Sequence, residues 1–331
     1  MKKTLIALSL AALSSAAMAD VTLYGTIKAG VETGQTKVKT TTTTEKSHTE
    51  TAIADFGSRI GFKGHESLGN GLNAIWKVEQ KTSVAGTDKG WGNRQAYIGL
   101  ETTAGTFRAG KMSTQLDEMD KTDAWEYSNS ALGLGMFTRT GQKVVSVRYD
   151  SPVFAGFSAN VQFSPRDNKV NTIRGIGQTS GRDDVAKDNA AYYAGLNYEN
   201  AGFFAQYGFG YKKSAYVTSN NDSKSGQAHR VEAGYDANNL FVSAGYQYTN
   251  GWDSWDSYAN TLVGDAAFEA ITGQSYSANT DDTAGLKTHE LAVSGAYKFG
   301  NVTPKVTYAH GFKVKGQGLE EADRKQLSYD Q

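Results

Sequence analysis

The feature that most constrains this chain is a period of two. In "DVTLYGTIKAGVE", Asp20 to Glu32, the apolar Leu23, Ile27 and Val31 share one parity with Gly25 and Ala29, while Thr22, Tyr24, Thr26, Lys28 and Glu32 share the other. Successive side chains of a strand point to opposite faces, so this segment has one apolar and one polar face. In "GFFAQYGFGYK" Phe203, Ala205, Tyr207, Phe209 and Tyr211 oppose Phe204, Gln206, Gly208, Gly210 and Lys212, and "LFVSAGYQY" and "ELAVSGAYKFG" repeat the pattern. About thirteen complete segments of this kind follow one another.

Their connections alternate in length. "SLGNGL", "TTAGTF", "DSPVFAGF", "YENAGFF", "YDANNLF" and "KFGNVTP" are short and carry Gly, Asn, Asp or Pro, the residues that tight hairpins need. Long polar connections cover about 34–51, 83–90, 111–141, 165–188, 213–227, 250–288 and 315–325. The plan is an antiparallel meander with two unlike rims, and no linker divides it into domains.

A soluble sandwich would bury the apolar parity and spread its aromatic residues along the buried face. Here Tyr198, Tyr211, Tyr248, Tyr297, Phe299, Tyr308 and Phe312 gather beside turns and loops, where a bilayer interface favours amphipathic rings. A sheet this wide, with no helices to cover it, also has to split or close. A closed barrel with an apolar exterior and a water-filled lumen satisfies both observations, so the expected fold is an all-β transmembrane antiparallel barrel.

Residues 1–19 have the three parts of a secretory signal: Lys2 and Lys3, an apolar run from Leu5 to Leu13, and Ala17-Met18-Ala19 as a small-residue cleavage site. The barrel domain is then 20–331, with 32 basic and 34 acidic residues once the two lysines are removed. That balance excludes a nucleic-acid partner held by bulk charge. The chain has no cysteine, which suits export through an oxidising compartment.

"DFGSRIGFKG", "GLNAIWKVEQ", "WGNRQAYIGL", "VSVRYDSPVFAGFS", "YYAGLNYEN" and "FGNVTPKVTYAHGF", together with the opening strand, resemble the general porins of the Neisseria outer membrane from the signal to the last residues. The resemblance implies a sixteen-stranded homotrimeric barrel in the outer membrane that passes ions and small hydrophilic solutes by passive diffusion. It implies lipid as the surrounding partner, no cofactor, no metal and no enzymatic activity. It also implies that the third long loop folds into the barrel and narrows it.

That loop is unusual by its residues alone, since "LDEMDKTDAWEYSN" gathers Asp117, Glu118, Asp120, Asp123 and Glu126 around a single Lys121. Acids so close together raise one another's pKa unless cations or water relieve them. The wall facing them should be basic. Parity sends Arg59 and Lys63 into the lumen while Ile60 and Phe62 face lipid, and it sends Lys77 inward with Glu79 while Trp76 and Val78 face out. Lys28 lies on the polar parity of the first segment, and Arg148 fits the lumen phase beside Val147 and Tyr149. Arg94 matches a wall arginine of the family, but its phase stays open because Ile98 shares its parity. Bases facing acids across a narrow wet gap would orient dipolar solutes, and this reading gives weak charge selectivity tilted toward cations.

Two other functions stand beside the pore. The long loops suit a surface adhesin, and some barrels are hydrolases. None of His48, His65, His229, His289 and His310 stands in a nucleophile elbow or a metal-binding helix motif, and "HEL" at His289 lacks the second histidine of a zinc motif. The last residues, "RKQLSYDQ", end neither on an aromatic residue nor on a completed alternating segment. The expectation is a partial sequence lacking roughly 40–50 residues, and therefore an open barrel.

Overall fold

The computed structural model describes residues 20–35, 37–39, 44–46, 49–83, 92–125, 133–165, 189–217, 222–254, 257–258, 261–262, 285–316 and 328–331. Strands dominate them. β1 (Asp20–Thr26) is followed by an outer hairpin in which β2 (Ala29–Gly34) pairs with β5 (Glu50–Asp55) and β3 (Lys37–Lys39) with β4 (Thr44–Lys46). Then come β6 (Arg59–Gly69), β7 (Leu72–Lys81), β8 (Gln95–Thr102), β9 (Gly105–Ser113), β10 (Lys143–Asp150) and β11 (Phe157–Ser164). They continue as β12 (Ala191–Asn200), β13 (Phe203–Val217), β14 (Ser223–Ala237), β15 (Leu240–Ser254), β16 (Gly285–Tyr297) and β17 (Lys305–Gly311). The short β18 (Lys315–Gly316) lies on β16, and β19 (Tyr329–Asp330) lies on β17.

β1 pairs with β6, and from β6 to β17 each strand pairs antiparallel with the next; with β18 and β19 they form one 15-stranded sheet. Among the described residues β1 and β19 stand at its two ends and do not pair with each other. The thirteen strands of seven to fifteen residues on this path match the number of alternating segments in the sequence. Among the described residues no helix is long and apolar enough to cross a membrane, which says nothing against crossing by strands.

The short connections have the backbone that hairpins require. Asn238 and Asn239, between β14 and β15, both have positive φ, 54° and 64°, as a two-residue turn matched to right-handed strand twist demands. Two long connections are shorter than their composition suggests. β13 runs to Val217 and β14 starts at Ser223, so the loop expected over 213–227 gives up both its ends to strands. β15 and β16 likewise extend into 250–288, to Ser254 and from Gly285. Backbone pairing resumes there beyond register shifts between Lys212 and Tyr216 and between Asn250 and Ser254, and such a shift breaks the alternation by which a strand is read.

The inversion between faces decides the architecture. Val231 is 46% exposed and Val293 50%, whereas Arg230 is 1% exposed and Glu232 and Glu290 are fully buried on the alternate positions of the same strands. The apolar rows point away from the enclosed side, and the charges point into it. Aromatic residues pair across strands on the outward face. Phe157 and Tyr198 (4.5 Å between ring centroids) and Phe203 and Tyr235 (4.9 Å) lie beside the short turns, and Phe163 and Tyr192 (5.1 Å) lie toward the long-loop end. Two aromatic bands are what a bilayer selects on a barrel.

Candidate functional site: the inward-folded loop and its facing wall

The segment between β9 and β10 lies on the inner face of the sheet. Its neck is closed by Thr114, whose N–H donates to the Gln142 carbonyl at 2.9 Å. A short helix, Gln115–Glu118, follows and lies against β12 and β13. The wall is cleared for it by glycine. A Cβ on Gly195 would stand 2.3 Å from the Gln115 side-chain oxygen, and one on Gly208 would stand 2.7 Å from Met119 Sδ. Leu116 closes a small apolar cluster with Ala191, Tyr193, Ala228 and Trp252, and Phe137 belongs to a second with Leu134, Leu286, Ala292 and Tyr329. Fully burying one such side chain contributes about 2 kcal/mol.

Polar fastenings hold the loop to the arc from β12 to β17. Arg230 donates to the Leu116 carbonyl at 2.8 Å and faces Glu232 at 3.1 Å. Glu232 in turn accepts from the Thr122 N–H at 3.1 Å, while the Thr122 hydroxyl meets Ser243 at 2.7 Å and its carbonyl accepts from Ser294. Arg139 reaches Glu290 at 2.6 Å, Asp253 at 2.9 Å and the Thr288 hydroxyl at 3.1 Å. Thr140 donates to Gln247 at 2.6 Å. Buried ions are tolerable only when paired and hydrogen-bonded in this way, and breaking one partner of such a set costs about 3–5 kcal/mol.

The expected acids separate into different environments. Asp117 is half-buried and pairs with Lys143 at 2.6 Å. Glu118 accepts from Arg148 at 2.7 Å, and Asp120 is exposed. Asp123 is buried, 3% exposed, and burial raises its carboxyl to about 6 although backbone N–H groups of Leu134 and Trp125 oppose the rise. Glu126 lies outside the described residues.

The expected bases converge on an acid of their own wall. Glu79, 3% exposed on β7, accepts from Arg94 at 2.7 Å and from the Tyr24 hydroxyl at 3.0 Å, with Lys77 at 3.4 Å and Arg59 at 4.0 Å. Arg94 precedes β8, so strand parity does not govern it. Lys63 sits directly opposite Lys77 and is exposed, and Lys28 is half-buried in the joint between β1 and β2. Arg148 also bonds Asp150 at 2.8 Å and the Ser113 carbonyl at 3.0 Å, and Arg108 bonds Asp150 at 2.6 Å.

The picture of bases and acids facing each other across a gap therefore needs one correction: at Arg148 and Glu118 the two sets touch. Arg59, Lys77 and Arg94 meet Glu79 instead of a loop carboxylate because β6, β7 and the start of β8 are neighbours in the sheet. Sequence reasoning placed Glu79 inside without giving it a role. It passed over Arg108, Lys143, Asp150, Arg139, Arg230 and Glu232. Parity alone flags Arg230 and Glu232, which alternate with His229 and Val231, but Arg139 lies in a loop where no period exists.

A joint catalytic role for His289 and Glu290 is excluded by geometry, since Glu290 points inward to Arg139 and His289 outward to the Tyr246 hydroxyl at 2.7 Å. Among the described residues no group of three or more His, Cys, Asp or Glu side chains could hold a metal ion.

Residues 28–331 match the family model described as "Gram-negative porin". The chain is 47% identical to the major outer membrane protein P.IB of Neisseria sicca, over 98% of this chain and 86% of that protein. It is 43% identical to the protein of the same name from Neisseria meningitidis serogroup B, over 100% of this chain and 87% of that one. Among solved structures, the anion-selective porin from Comamonas acidovorans superposes with a TM-score of 0.58 at 18% identity, over 90% of this chain and 80% of that one. OmpF of Salmonella typhi, in complex with daunomycin, gives 0.55 at 17% identity, over 92% and 81%. These two likenesses are likenesses of fold. Family membership implies a channel and not an enzyme, and its location is the outer membrane. With the inverted faces and the inward loop already established, the matches lead to one conclusion: this chain belongs to the Gram-negative porin family.

Proposed function

We propose that this porin forms a water-filled channel for passive diffusion of ions and small hydrophilic solutes, narrowed where the Gln115–Glu118 helix meets the wall at Arg148. The observation that carries the reading is the placement of Arg230, Glu232 and Glu290 on the enclosed face while Val231 and Leu291 stand exposed on the other. Charges so placed are tolerable because the inward loop pairs them, and the opposite arrangement would put them in lipid.

The charges around the narrowing tilt its selectivity. Arg59, Lys63, Lys77, Arg94, Arg108, Lys121, Lys143 and Arg148 stand there with the acids Glu79, Asp117, Glu118, Asp120, Asp150 and Glu199. In this set the bases exceed the acids by two, which argues against the slight tilt toward cations expected from five loop acids and the wall bases. A weak anion preference follows, because a lumen walled by low-dielectric protein focuses the field of its fixed charges. The assembly we propose is a homotrimer; OmpT of Vibrio cholerae, which shares this fold with a TM-score of 0.52, is described in a trimer form.

Single-channel recording in a planar bilayer tests the proposal. Large, steady, ohmic steps are expected, with a reversal potential under a salt gradient displaced slightly toward the chloride value. Protein that inserts yet carries no current overturns the channel, and displacement toward the potassium value overturns the sign.

A further inference from the structure

Arg139 directly follows the short helix Gly135–Thr138 of the inward loop and fastens that loop to the ends of two strands. The edges of its guanidinium reach Asp253 of β15 at 2.9 Å, Glu290 of β16 at 2.6 Å, the Thr288 hydroxyl at 3.1 Å and the Met136 carbonyl at 2.9 Å. Its flat face is covered by Tyr258, whose ring centre lies 4.7 Å from the guanidinium carbon. Tyr258 belongs neither to the wall nor to the inward loop. It comes from the connection between β15, which ends at Ser254, and β16, which starts at Gly285. The chain that joins the two strands therefore turns back over the place where the loop is tied to them. Local bonds set that turn: the Ser257 N–H donates to the Ser254 hydroxyl at 3.2 Å, and the Thr261 hydroxyl donates to the Ser257 carbonyl at 2.8 Å.

The ring is fully buried in the cluster that holds Leu134, Phe137, Leu286 and Val314, and Leu262 of the same connection packs against that cluster. Among the described residues the Tyr258 hydroxyl is buried without a hydrogen-bond partner. A buried hydroxyl left unpaired costs stability, so the position draws on the face of the ring and not on its oxygen. A cation stacked on an aromatic face is held more strongly once both are out of water, and the ring also keeps water from competing for the bonds of Arg139. We infer that Tyr258 is a positioning residue of the channel: by covering Arg139 it ties the connection between β15 and β16 to the inward loop and fixes where that loop stands in the lumen. The inference rests on the reading of a channel narrowed by this loop.

Two substitutions separate the ring from the volume it fills. Tyr258→Phe keeps the flat face and removes the unpaired hydroxyl, whereas Tyr258→Leu keeps an apolar side chain and offers the cation no face. Each folded variant is read twice, by open-channel current in a planar bilayer and by hydrogen exchange of the backbone around Arg139. The amides reporting there are those of Thr138, which donates to the Leu134 carbonyl at 2.9 Å, and Gly141, which donates to the Thr138 carbonyl at 2.9 Å. Tyr258→Phe should match wild type in both readings. Tyr258→Leu should give noisier open-channel current, and these amides should exchange about tenfold faster, the scale of a lost desolvated cation–ring contact. Wild-type exchange in the leucine variant, wild-type noise in it, or a phenylalanine variant that behaves as it does, overturns the inference. An exchange difference in protein whose wild type carries no current would count against the channel and leave the contact between ring and loop standing.

Discussion

Arg148 and Glu118, thirty residues apart in sequence, meet at 2.7 Å and join the inward loop to the wall at β10. The contact replaces a gap by a closed ion pair at β10, while the Glu79 cluster lies along the sheet at β6, β7 and the start of β8.

Removing that carboxylate should release the latch. In Glu118→Gln the Arg148 guanidinium keeps Asp150 and the Ser113 carbonyl but loses one negative neighbour. We expect a shift of reversal potential toward anions and noisier open-channel current, read in a planar bilayer under a salt gradient. A shift toward cations, or none, shows that this pair does not border the ion path.

Glu79→Gln should act more strongly. Arg59, Lys77 and Arg94 then share a site without its acid, and their mutual repulsion favours an anion in its place. A larger anion shift than in Glu118→Gln is expected, with a stability loss on the order of 1–2 kcal/mol because the three partners are partly solvated. Denaturant titration of the folded protein measures the loss.

Asp123 gives a pH dependence with a definite sign. Its carboxyl sits at about 6 in the folded protein, above the ordinary value of an unfolded aspartate. The folded state therefore binds the proton more tightly, and stability falls as pH rises from about 4 through 6 and stays low above. Asp123→Asn should remove this slope and be more stable than wild type at pH 8 by on the order of 2 kcal/mol. Thermal unfolding at pH 5 and pH 8 checks it, and an identical slope in the variant refutes the assignment.

Gly208 tests how the loop is seated. A valine there collides with Met119 Sδ and Leu116, so Gly208→Val should lift the helix from the wall. Lifted toward the lumen, the helix obstructs it, and unit conductance should drop, because an overlap of this size in a packed contact forces backbone to shift. Unchanged conductance with intact folding would mean that the helix does not border the narrowing.

The strands were legible because one face of each is apolar. Phe203 to Tyr211 announce β13 without any tertiary information, but Ser214 to Val217 do not, since the register shift between Lys212 and Tyr216 interrupts the alternation. The acids at 117–123 were visible as a cluster, yet their separation into latch, solvent and buried sites depends on Lys143, Arg148 and Leu134, which sequence distance hides. Gly208, on the polar parity of its segment, proves together with Gly195 to be the clearance under a helix. Period reports which face a residue occupies and is silent on what comes to lie over that face.

The alternation has a consequence before folding. Each greasy side chain is separated from the next by a polar one, so no stretch of the exported barrel is oily enough to lodge in the inner bilayer on the way out. Only when hydrogen bonding turns all the strands at once does that dispersed oiliness add up to a belt, and the chain becomes insoluble in water at the step that commits it to its destination.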